Sequence, residues 1–169
     1  MKENHKLALT AVLVRDRDGG TVSLDKNGRR KLAYWPSARD LKLCVDGMKR
    51  SAEAYLAAGA KEVYTCHVNE TVIRSPKDVG VIDQRGTAPG DLLLFSAHQM
   101  GTCRMGEDPK TSVVNSNGRV HGTKNLMIAD ASAFPTPSGV NPQVTVYAVA
   151  THHAKYLLEN WQEVAAGKA

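Results

Sequence analysis

The sequence predicts an α+β fold of short antiparallel strands and two main helices, and three observations carry that prediction. Alternating or β-branched stretches separated by turn signals fill the first 35 residues. Helical periodicity appears twice, over 38–58 and 143–161. The strand, glycine-rich turn and helix that open a dinucleotide-binding domain occur nowhere, so a complete Rossmann domain is not expected. A single domain over 1–169 is the default, because a chain 42% hydrophobic can build one core but has little left to enclose a large cofactor.

The elements follow in order. Residues 7–14 are apolar and β-branched, Arg15-Asp16-Arg17-Asp18-Gly19-Gly20 breaks the run, and residues 21–24 alternate, which reads as strand, turn and strand. Lys26-Asn27-Gly28-Arg29 supplies a second turn before Leu32-Ala33-Tyr34-Trp35, so three strands in a meander are predicted, closed by Pro36. Ser37 stands where a helix cap would, with Asp40 three residues on in place of the usual Glu. Leu41, Val45, Met48, Ala52 and Leu56 then recur at helical spacing, predicting a helix over 38–58 that Gly59 stops. Residues 62–65 predict a short strand. Residues 66–95 lack periodicity and hold Ser75-Pro76, Gly80, Gly86 and Ala88-Pro89-Gly90, so a long functional loop lining a substrate entrance is expected. Residues 126–129 predict a buried strand ending at Asp130. Pro135, Pro137, Gly139 and Pro142 lead into the second helix, whose core positions include Val144, Ala148, Tyr156 and Leu157. Residues 161–169 are expected to be a frayed tail.

Charge and cysteine usage exclude several classes. Lys and Arg number 22 against 17 Asp and Glu, a net charge of +5 that is dispersed along the chain and reads as an aid to solubility before a means of steering anions. With aromatics at 5% and no stacking platform, a nucleic-acid partner is not expected. Cys44, Cys66 and Cys103 suggest neither a disulfide framework nor a zinc pattern, which favours a reducing compartment. The first six residues and the short apolar run after them do not make a signal peptide, and no run reaches the roughly 20 apolar residues of a membrane span. A cytoplasmic location is the resulting expectation.

Two segments carry candidate chemistry. In residues 96–106, His98 precedes Gly101 by three positions in a stretch rich in glycine and small polar residues, where backbone can approach a ligand closely. Residues 130–145 leave a predicted strand and enter a helix, the place where α/β proteins put ligands. The other histidines read as structural. His121 lies near a turn, and His152 and His153 are adjacent on a helix, so they face different ways and do not make the i, i+4 pair of a metal site. Cys66 and His67 lack a second pair at zinc spacing, and Cys103 reads as a small buried residue. A metal-dependent enzyme built on His98, Cys103 and His121 is a weaker alternative.

Residues 98–106, 113–125 and 130–145 resemble, in order and spacing, the carboxyl-terminal domain of the glucose-methanol-choline (GMC) FAD-dependent alcohol and sugar oxidoreductases, nearest to the long-chain alcohol oxidases and the related sugar-acid and sorbitol-type dehydrogenases. The resemblance is strongest over residues 90–160, while the preceding meander and helix are similar in layout to the family's substrate domain. It implies the substrate-binding part of an enzyme that oxidises an alcohol to a carbonyl with hydride transfer to FAD. On that resemblance His98 is the catalytic histidine that accepts the hydroxyl proton, a task suited to an imidazole whose unperturbed pKa is about 6.5. Asn141 is its partner, an amide that binds the substrate oxygen without titrating. Asp130 and Ala131 match positions along the cofactor's ribityl and pyrophosphate region, and Pro142, Gln143 and Val144 match backbone approaching the flavin pyrimidine. Asn115 departs from the Asp common in the family, a turn change expected to be mild. The larger departure is the missing flavin-binding domain, which implies that FAD is shared with a separate FAD-binding domain or subunit and that the chain is inactive without it. The partners expected are that domain and a small-molecule alcohol; the alternative is a non-catalytic truncated or split module of the same fold.

Overall fold

Backbone contacts divide the chain into two compact units where the sequence leads one to expect a single body. The structure, a computed structural model, describes residues 6–166. The first five residues, read for a signal peptide, and residues 167–169 of the expected tail lie outside the described residues. The first unit runs to Asp18 and resumes over Trp35–Phe95; the second comprises Gly19–Tyr34 and the chain from Ser96 onward.

The first unit is organised by helix α1, Ala38–Ala57. Ser37 caps it as predicted, its hydroxyl accepting the Asp40 N–H at 3.3 Å. Asp40 does not complete a capping box. Its carboxylate, almost fully buried, instead accepts the Arg17 N–H at 3.2 Å and ties that segment to the helix start. At the other end Gly59 takes a φ of +93°, and the Gly59 and Ala60 N–H groups return to the Leu56 and Tyr55 carbonyls at 3.0 and 2.9 Å, a Schellman closure. The apolar stripe of α1 packs where its spacing predicts: Ala52 joins Ile73, Val79 and Ile82 in the core, with Val45, Met48 and Leu56 against it.

Two expectations for this unit fail. Residues 7–14 form no strand, and Leu9 is 96% exposed; β-branched composition suits a pleated surface, but a strand exists only where a neighbour pairs with it. Residues 66–95 are not an irregular loop. Strands β3, Val63–Tyr64, and β4, Val72–Ile73, pair antiparallel, and a 3-10 helix follows over Pro76–Gln84. Val79 and Ile82, expected beside an entrance, are core residues packed on α1. Pro76 starts the helical turn, and burial of Val79 and Ile82 holds it.

In the second unit, β1, Thr21–Leu24, pairs antiparallel with β2, Arg30–Ala33, around a turn at Asp25 and Gly28. The Asp25 carboxylate accepts the Asn27 and Arg29 N–H groups, both at 2.8 Å, and Gly28 adopts a φ of +73°. The remainder is a network of single backbone bridges, Met105 with Val114, Val114 with Val120, and Arg119 with Met127. Residues 126–129 thus contribute a single bridge at Met127, not the predicted buried strand, and Leu126 is exposed. Helix α2 spans Gln143–Glu159 and α3 Trp161–Ala165. The tail expected over 161–169 therefore begins as a helix, because Val164 is buried and anchors that turn. Of the positions assigned to the core of α2, Val144 and Ala148 are exposed and Tyr156 and Leu157 half-buried; valines lie all around the helix, so periodicity could not choose its face.

Candidate active site

His98 and Asn141 both lie in the second unit. His98 is half-buried, and its backbone N–H donates to the Ser96 hydroxyl at 3.2 Å. Among the described residues its ring makes no hydrogen bond or ion pair, and no hydrogen bond joins it to Asn141. The segment after it is held firmly. The N–H groups of Gly101, Cys103 and Met105 donate to the Ala131, Ser132 and Ala133 carbonyls at 3.1, 2.8 and 2.8 Å. Gly101 has a φ of +81°, which favours glycine, and a Cβ there would fall 3.3 Å from the Phe134 carbonyl oxygen, so the run that follows His98 packs tightly on residues 131–134. The two motifs found separately in sequence are thus laced together by backbone.

The positions matched to a cofactor behave differently from one another. Asp130 caps the 3-10 turn Ala131–Ala133, its carboxylate oxygen accepting the Ser132 N–H at 2.7 Å. The Ala131 carbonyl is occupied by Gly101 and Phe134. Pro142 is buried and precedes α2, whose first bond runs from the Val146 N–H to the Pro142 carbonyl at 2.8 Å. No side chain caps this end, so the N–H groups of Gln143, Val144 and Thr145 lack an intrahelical acceptor and their partial positive charge faces outward. The Gln143 side chain turns along the helix to the Tyr147 hydroxyl at 2.8 Å, and both it and Val144 are exposed. Asn141, immediately before, is exposed, with no side-chain hydrogen bond among the described residues.

Other polar groups are committed to the fold. The His121 Nε2 sits 2.9 Å from the Gly106 carbonyl oxygen and 3.1 Å from the Ser112 hydroxyl, clamping the turn between them. The Asn115 amide oxygen accepts the Asn117 and Arg119 N–H groups at 3.0 and 3.1 Å, a task an Asp oxygen performs as well. Among the described residues no group of three or more His, Cys, Asp and Glu is placed to hold a metal ion. His153 is structural, as its sequence context suggests, but the sequence did not disclose its bond: its ring is buried and lies 2.7 Å from the Ile128 carbonyl oxygen. No local pattern could have disclosed a bond reaching back to position 128.

The GMC oxidoreductase family model matches residues 16–150, and the chain belongs to that flavin-dependent family as its carboxyl-terminal domain. It is similar to the long-chain-alcohol oxidase FAO4A of Arabidopsis thaliana, 34% identical over 82% of this chain and 20% of that protein. It is likewise similar to the paromamine 6'-oxidase of Streptomyces fradiae, 40% identical over 54% of this chain and 16% of that protein. Its fold is shared with the crystal structure of pyridoxine 4-oxidase from Mesorbium loti, with a TM-score of 0.53, 24% identity, and coverage of 83% of this chain and 27% of that one. The chain spans about a fifth of the length of the alcohol oxidase relatives it matches. Among the described residues no helix is long and apolar enough to cross a membrane.

Proposed function

We infer that this chain supplies the proton-handling half of a site that oxidises an alcohol to a carbonyl with FAD, and that a separate FAD-binding domain or subunit supplies the rest. One observation carries the reading: among the described residues the His98 ring and the Asn141 amide are unengaged by the fold, the segment after His98 is bonded to residues 131–133, and Asn141 stands just before an uncapped helix end. A flavin, when bound, would accept the hydride leaving the alcohol carbon. The residues present suit such a group, since the free N–H donors of Gln143 and Val144 at the start of α2 favour negative charge, and Pro142 offers none to compete. Asp130, half-used as a turn cap, and Ala131 would lie toward the ribityl and pyrophosphate region.

The work of the chain's own residues is then simple. A ring nitrogen of neutral His98 takes the hydroxyl proton as the C–H bond breaks. The Asn141 amide donates to the same oxygen and fixes its direction without taking the proton itself. The substrate proposed is a small-molecule alcohol.

Turnover of an alcohol by the chain mixed with a FAD-binding domain tests the reading. His98→Ala in that pair is expected to lower turnover by roughly 10²–10⁴-fold, the usual contribution of a general base. Near-normal activity in the variant would remove His98 from the reaction.

A further inference from the structure

Of the 17 residues in α2, His153 is the buried one, at 1% exposure. Its Nδ1 lies 2.7 Å from the Ile128 carbonyl oxygen, so Nδ1 carries the proton and donates it. Its Nε2 is buried with no partner among the described residues. A leucine or phenylalanine would fill the space without that cost, so the bond rather than the packing distinguishes histidine here. The opposing wall is equally particular. A Cβ on Gly118 would fall 2.4 Å from the same Nδ1, and Gly118 holds a φ of +80°. Its carbonyl accepts the Ile128 N–H at 2.9 Å, so Ile128 is bonded to Gly118 through one end of its backbone and to His153 through the other.

This arrangement fixes a position. The half-buried apolar residues of α2, such as Val149 and Leu157, attract without direction and let a helix turn or slide. A hydrogen bond of defined length and angle does not. His153 lies ten residues into the helix from Gln143, roughly 15 Å at 1.5 Å per residue. A tilt of about 10° at that point would carry the helix start through roughly 2–3 Å, and misplacement of about 1 Å is already costly to a reacting site. Two residues beyond Ile128, Asp130 opens the turn whose carbonyls hold Gly101, Cys103 and Met105. The bond therefore links the helix that follows Asn141 to the backbone that holds the segment after His98.

We propose that His153 is a positioning residue, which through its bond to Ile128 sets where the first turn of α2, and Asn141 just before it, stands relative to the His98 segment. What those positioned groups do rests on the proposed function; that His153 positions them does not.

Amide hydrogen exchange on the full chain reads the effect. His153→Phe keeps a ring but no donor, and the amides of Val146 to Ala150 are expected to exchange about tenfold faster while the thermal midpoint stays within a few degrees. His153→Asn, whose side-chain N–H can replace Nδ1, is expected to restore protection. Gly118→Ala keeps the histidine but drives its ring from the carbonyl, and is expected to match His153→Phe. Unchanged exchange in His153→Phe, or His153→Asn no better protected than it, overturns the proposal. Should His153→Phe not fold, Gly118→Ala compared with His153→Asn is judged by the same criterion. With the FAD-binding domain supplied, His153→Phe is expected to lower kcat for alcohol oxidation about tenfold at unchanged KM. If the unaltered pair oxidises no alcohol, the proposed function fails, and the exchange result still decides the role of His153.

Discussion

His67 is a histidine that its surroundings keep neutral. Its Nδ1 is 2.6 Å from the Thr65 hydroxyl and its Nε2 is buried without a partner among the described residues. Burial, and after it the Arg85 charge, hold its pKa below the ordinary value against the smaller opposing pull of Asp91. As pH falls, the unfolded chain therefore binds this proton before the folded chain does. The contribution to stability is complete above the unfolded pKa of about 6.5 and is lost as pH drops through and below it. Thermal melts from about pH 7.5 down to about pH 5 are expected to show a falling midpoint that His67→Asn makes shallower; an unaltered slope in the variant would assign the pH dependence elsewhere. Among single residues the sequence was informative where chemistry is local. His98 and Asn141 stand out by their neighbours, and the turn roles of Gly28 and His121 follow from the residues beside them. His153 was opaque because its partner is a backbone carbonyl 25 positions away, and a carbonyl carries no residue identity.

Helix α1 was legible almost to its ends because every signal agreed: cap, stripe and glycine stop. Removing the cap with Ser37→Ala is expected to cost about 1 kcal/mol. Ile82→Ala, which empties a fully buried position under the same helix, is expected to cost about 2–5 kcal/mol, and urea unfolding of the two variants separates these magnitudes. A loss in Ile82→Ala no larger than that of the cap variant would mean the 3-10 segment is not part of the core. The elements that were misread share a cause. Residues 7–14 and 126–129 have strand composition, but a ladder depends on the neighbour, which composition cannot supply. The turn over Pro76–Gln84 was masked by its glycine and proline, although Val79 and Ile82 are spaced to bury together. In α2 the valines at 144, 146 and 149 point to several sides, so the buried face became visible only with the bond made by His153.

Taken whole, the chain leaves much apolar surface uncovered. Val22, Leu24 and Leu32 of the hairpin, Phe95 and Val144 are all more than half exposed. A two-stranded hairpin with no covered face is marginal by itself, and the proposed FAD-binding domain is expected to cover it. Flavin absorbance is expected to be absent from the chain alone and to appear in a complex formed with a FAD-binding domain, eluting as one species. A yellow chain without a partner would overturn the half-site reading.

The interleaving of the two units bears on how the protein is made. The chain passes from one unit to the other after Asp18, after Tyr34 and after Phe95. A ribosome therefore releases the hairpin of the second unit long before the residues from Ser96 onward that complete that unit. Contacts so distant along the chain form slowly, and the waiting strands are open to wrong pairing meanwhile. Cutting the gene at any one point would not yield two self-contained pieces.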